Sequence, residues 1–162
     1  MKILETALIC PLPEYLEELA SGLALEKQSV LDIEVYRYEI DEEFAILLYD
    51  LSAREKISPE ALAHLSPHLS GLLIVTDNEV EDLPAEVSGF IEEFAWNLEQ
   101  VPTVLALRTD REKLHSLNPH ILQSGFYLSE RGRVLFWHPK QRDTRQRVWG
   151  TLWETLQGVV EA

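Results

Sequence analysis

The chain has a single cysteine, Cys10. One thiol excludes an internal disulfide framework and a cysteine-rich zinc site. Long apolar runs are also missing, and none approaches the roughly 18 residues that a membrane-crossing helix needs. The opening MKILETALIC is too short and too acidic for a signal peptide, and it reads better as a first strand. Basic residues are scarce: 14 Lys and Arg face 28 Asp and Glu, a formal net charge of −14. That balance opposes nucleic-acid phosphates and anionic lipid alike, so neither is an expected partner and direct membrane insertion is not expected. These absences together favour the cytoplasm. The basic residues that do occur gather in RGRVLFWHPKQRDTRQR (131–147); such a patch on an acidic protein can be a docking site, and its plainer reading is a solvated face near a helix start.

What is present is enough apolar material for a core. The hydrophobic content is 46% over 162 residues, which fits one domain spanning 1–162. Short apolar runs alternate with helical patterns. ILETALIC (3–10) is bounded by Pro11 and Pro13 and predicts a strand. PEYLEELASGLALE (13–26) carries Leu16, Leu19, Leu23 and Leu25 near helical spacing, with Pro13 suited to a first turn. LDIEVYRYEIDEEFAILLYDL (31–51) reads as a β-hairpin, a half-exposed strand turning at Asp41–Glu43 into the buried run FAILLY. Leu31, Ile33 and Val35 alternate in one phase, and Tyr36, Tyr38 and Ile40 in the other. SPEALAHLSPHL (58–69) opens with a Ser cap and Pro at the first helical position.

GLLIVTDN (71–78), TVLALRTD (103–110) and VLFWHP (134–139) predict three further buried strands. Helices are predicted over 84–100, 111–123 and 143–162, with Val148, Leu152 and Leu156 in the core stripe of the last. Continuous apolar strands separated by helices argue for an α/β fold: a mainly parallel sheet covered on both faces. Six strands are expected, with the hairpin supplying one antiparallel edge. Ligands of such sheets sit at the strand carboxyl ends, where Asp50, Asp77 and Asp110 fall.

A strand, a helix, a hairpin and then alternating units is an element order that resembles the Ras-like small GTPases. Over nearly the whole chain it is most similar to the bacterial gliding-motility and polarity branch. The resemblance implies a three-layer Ras-like fold, but its nucleotide motifs are degenerate. A phosphate-binding loop needs glycines for amide approach, a Lys and a hydroxyl for magnesium. The corresponding CPLPEYLEELAS has no Gly and no Lys, while Pro11 and Pro13 lack amide donors. Glu14, Glu17 and Glu18 put negative charge where a phosphate would lie. The switch motif is DLSARE, with Asp50 and Glu55 in matching places, Ala53 for the Gly and Arg54 for the Gln. The base-reading motif becomes Leu107, Arg108, Thr109 and Asp110, which keeps only the final carboxylate and puts Arg in place of Lys. Trp137, His138 and Pro139 stand at the last base-contacting loop, with Trp137 read as core or interface.

The resemblance therefore implies a pseudo-GTPase. Asp50 and Asp110 would mark a vestigial nucleotide pocket, with no retained cofactor, no metal and no catalytic residue. Such a protein would act by binding others: a roadblock-type regulator, a related active small GTPase, or a second copy of itself as a homodimer. Tyr36, Tyr38, Arg54 and Lys56, around the hairpin and switch region, are the candidate partner-binding residues, because aromatic residues and Arg are enriched at interface centres. An alternative is an atypical GTP-binding or GTP-hydrolysing enzyme using Asp50 and Asp110. A third is a receiver-like domain phosphorylated on Asp50, with Thr76 and Arg108 as its switch Thr and Lys, although the acidic pair expected after the first strand is missing. His64 and His68 have metal-binding spacing, but no third ligand is evident. Cys10 has no base partner to make it a nucleophile.

Overall fold

The computed structural model describes residues 1–52, 57–77, 102–109 and 132–161. Seven strands form one sheet: β1 (Lys2–Ile9), β2 (Leu25–Val30), β3 (Ile33–Glu39), β4 (Phe44–Asp50), β5 (Leu69–Asp77), β6 (Thr103–Arg108) and β7 (Arg133–Trp137). The described helices are α1 (Pro13–Leu19), α2 (Pro59–Leu65), which runs on through a 3₁₀ turn at Ser66–His68, and α3 (Arg142–Glu161). The spatial order is β2-β3-β4-β1-β5-β6-β7. The five strands β4-β1-β5-β6-β7 are parallel, while β3 runs antiparallel to both β4 and β2. None of the described helices is long and apolar enough to cross a membrane.

The expectation of an α/β, mostly parallel sheet holds, but the strand count is seven rather than six. The extra strand, β2, begins at Leu25, at the end of the segment read as one helix over 13–26, and runs on to Val30 through residues given no element. That helix stops after Leu19, and Gly22 then turns the chain at φ +88°. The hairpin read over 31–51 is present as β3 and β4, in register from Val35–Tyr49 to Glu39–Ala45. Its turn is held by Asp41, whose Oδ1 accepts from the Glu43 and Phe44 amides. However, β3 is not the sheet edge, because β2 covers it. Leu31 and Asp32, expected to open the strand, instead form the two-residue turn between β2 and β3, at φ 53° and 63°. Two successive positive φ values match the turn that best fits the twist of a hairpin.

The sheet has a core on each face. Ala7, Ile9, Ile33, Val35, Leu72, Ile74, Leu105 and Leu107 face Ala61 and Leu65 of α2. On the other side, Leu8, Leu48, Leu73, Val104 and Trp137 pack with Leu16 and Leu19 of α1 and Val148, Trp149, Leu152 and Leu156 of α3. This arrangement explains the phase change along β3: Ile33 and Val35 join the first core, while Tyr36 and Tyr38 pack against the second. Ser58 caps α2 by accepting from the Ala61 amide, as its position before Pro59 predicts. Gly71 brings β5 close to α3, since a Cβ there would lie 2.7 Å from a Leu156 methyl. The predicted helices over 84–100 and 111–123 lie outside the described residues.

Candidate functional crevice

In the parallel part of the sheet, β1 and β5 are neighbours, yet β2 to β4, which follow β1 in the chain, lie on one side of this pair and β6, which follows β5, lies on the other. A crevice is expected where adjacent strands diverge in this way, at their carboxyl ends. Among the described residues, the protein's own side chains bridge it. After β1 the chain runs through Cys10, Pro11 and Leu12 into Pro13, the first residue of α1. The Cys10 amide, a potential ligand donor, is given to Ser52 Oγ at 2.6 Å. Leu12 sits at the helix N-cap with no side-chain cap, and Glu14 occupies the first turn.

Tyr15 and Glu18 are three residues apart on α1 and so share a face. The Tyr15 hydroxyl donates to Asp77 Oδ2 at the end of β5, at 2.7 Å. Glu18 accepts from Arg108 Nε at the end of β6, also at 2.7 Å. The Arg108 guanidinium lies 4.9 Å from the centre of the Tyr15 ring, in a cation–π contact. The Arg108 side chain is only 15% exposed and that of Glu18 34%, so this ion pair is better shielded than an ordinary surface bridge. Four side chains from α1, β5 and β6 thus bridge the mouth of the crevice. They leave the Arg108 guanidinium neutralised internally.

Asp50 ends β4, one strand further along, where its Oδ1 accepts from the Ser52 amide at 3.0 Å. This is the local turn that an Asp beyond a strand ordinarily makes. Counting β2, Asp50 closes the fourth strand of the chain, so the reading that placed it after a third strand, as in a receiver, is corrected. Asp110 lies outside the described residues, as do Arg54 and Lys56. Trp137 is fully buried, in agreement with a core reading. Cys10 is buried too, and its thiol donates to the Leu12 carbonyl at 3.1 Å. Burial, reinforced by the nearby Asp50 and Glu14 charges, pushes the thiol up to about 12.

Tyr36 and Tyr38 are half-buried rather than free on the surface. The Tyr38 ring packs 5.6 Å from that of Trp149 in α3. The Tyr36 hydroxyl donates to Glu34, and burial beside the Glu34 charge pushes it up to about 12. His64 and His68 stand with ring centres 6.1 Å apart. Among the described residues, no group of three or more His, Cys, Asp or Glu is placed to hold a metal.

Asp77 and Arg108 were legible as strand-end residues, but their partners were not. Sequence reasoning missed Tyr15 altogether, and it read Glu18 only as charge opposing a phosphate, not as the partner of Arg108. Their i, i+3 spacing on a helix following β1 was the available signal, and it needed the strand order to become a site. No family model matches the sequence, and no curated protein matches it significantly.

Proposed function

We propose that the chain is a Ras-like module without a nucleotide cycle, a pseudo-GTPase that acts by binding another protein. The observation that carries this reading is the closed crevice. Where a triphosphate would need amide donors and a free cation, there are two prolines, a seven-residue helix with an acidic first turn, and an Arg108 paired with Glu18. Without γ-phosphate contacts, no nucleotide-driven switch between two states is available. The parallel strands flanked by an antiparallel hairpin support the Ras-like part of the reading. The candidate partners are a roadblock-type regulator, an active small GTPase of the related branch, or a second copy of the chain. The outer hairpin is the surface offered, with Val30 and Leu31 exposed at its tip.

Calorimetric titration with GTP, GDP and ATP in the presence of magnesium tests the first half. No heat at millimolar nucleotide is expected. Micromolar binding would overturn the proposal and favour an atypical nucleotide hydrolase. The second half is tested by sedimentation of the chain alone and mixed with a roadblock-type protein or an active small GTPase. A defined complex is expected with one of the three, and a monomer in every mixture would sink the interaction reading.

A further inference from the structure

A cavity of about 380 Å³ opens between the loop after α1 and the first two turns of α3. It is lined by Leu19, Ser21, Gly22 and Leu23 on one side and by Arg142, Arg145, Gln146 and Trp149 on the other. Its size falls in the range of small-molecule sites, roughly 300–1,000 Å³. In a chain with twice as many acidic as basic residues, this lining holds two guanidinium groups and no carboxylate.

Among the described residues neither arginine makes an ion pair. Arg145 is anchored instead: one terminal nitrogen donates to the Ser21 carbonyl at 2.8 Å. Its Nε–H is shielded from water and has no acceptor. A guanidinium held this way keeps most of its charge uncompensated, and guanidinium groups pair with carboxylate and phosphate through parallel hydrogen bonds. Beside the polar Ser21 and Gln146, the rest of the wall offers the apolar Leu19, Leu23 and Trp149. Trp149 gives its indole N–H to the Leu19 carbonyl at 2.9 Å, which leaves the ring as a hydrophobic surface. Gly22, at φ +88°, has open space where a side chain would stand, so the loop leaves the entrance clear.

We propose that this cavity binds a small organic anion. A phosphate or carboxylate group would sit on Arg142 and Arg145, and an aromatic or aliphatic body would lie against Trp149 and Leu23. The site is separate from the crevice beside β1 and does not depend on the pseudo-GTPase reading.

The test is titration of the ¹⁵N-labelled protein with inorganic phosphate, phenyl phosphate and benzoate, following the Trp149 indole and Gly22 amide signals. Saturable shifts at both positions are expected with at least one aryl anion, which binds more tightly than inorganic phosphate. Preference for phenyl phosphate would identify a phosphorylated ligand, and preference for benzoate a carboxylate. Arg142 is exposed, so Arg142→Gln should fold normally, with affinity reduced about tenfold or more, the loss expected for a charge-assisted hydrogen bond. Lys140→Gln, an exposed cation outside the lining, should leave affinity unchanged. The proposal is overturned if none of the three anions gives saturable shifts. It is equally overturned if Arg142→Gln and Lys140→Gln weaken binding alike, because general charge attraction would then account for it.

Discussion

The crevice beside β1 and the cavity beside α3 both receive arginines, but in different company. Arg108 meets a carboxylate, a ring and the end of a neighbouring strand within its own fold. Arg142 and Arg145 meet a loop carbonyl, an indole face and open space. An α/β sheet offers its ligand site where strands diverge, yet among the described residues that place is bridged and the cavity described lies to one side. The position of a cleft within a fold does not by itself say whether it is available; the charge balance of its lining does.

The comparison is broken most severely at Trp149. It is both a wall of the cavity and part of the core under α3. Trp149→Ala should cost about 3–5 kcal/mol, as for other buried aromatic truncations, and urea unfolding will measure it. A loss below about 1 kcal/mol would mean that the ring is not packed as described.

A smaller loss is expected on the closed side. Arg108→Ala leaves Glu18 without its cation and Tyr15 without its cover, at a cost of about 1–3 kcal/mol. Unplugging the crevice this way should still give no GTP binding by calorimetry, since the missing amides and Lys are not restored. Tyr15→Phe removes only the hydroxyl that reaches Asp77, for about 1 kcal/mol by the same unfolding assay. If Tyr15→Phe proved as costly as Arg108→Ala, the ion pair would not be the main bridge.

A pH-dependent effect that vanishes at neutral pH lies at Cys10. Its thiol titrates near 9.0 when unfolded and is pushed up to about 12 when folded. The folded state therefore favours the neutral form. That contribution is fully present below pH 9.0 and is lost as pH climbs toward about 12. Wild type should lose stability over this alkaline range more steeply than Cys10→Ala. Parallel slopes would show that the thiol is not desolvated.

Much of the fold was legible because the parallel strands are buried on both faces. FAILLY, GLLIVT and TVLALR could hardly be anything but strands. The edge strand LEKQSV was not legible, since an almost wholly exposed strand has no apolar alternation to show. Leu23 and Leu25 continued the helical spacing of Leu16 and Leu19 by coincidence, and the break at Gly22 depends on its positive φ. The turn at Leu31–Asp32 carries neither of the usual glycine signals, so two left-handed non-glycine residues went unread. At the site, single residues such as Asp77 and Arg108 were visible as strand ends. Their pairing with Tyr15 and Glu18 depends on α1 lying across β5 and β6, a long-range arrangement that no local pattern encodes.

The position of β1 has a kinetic consequence. The β2-β3-β4 meander is joined by short turns, so its pairings are local and cheap in loop-closure entropy. In contrast, β1 pairs only with distant strands, Lys2 with Phe44 on one side and Glu5 with Leu69 on the other. Low-contact-order elements tend to form first. β1 is then expected to be locked after the meander, with Ala7 and Leu8 joining strands that have already paired. Under that order, conservative truncations in β3 should slow folding, and those in β1 should mainly speed unfolding.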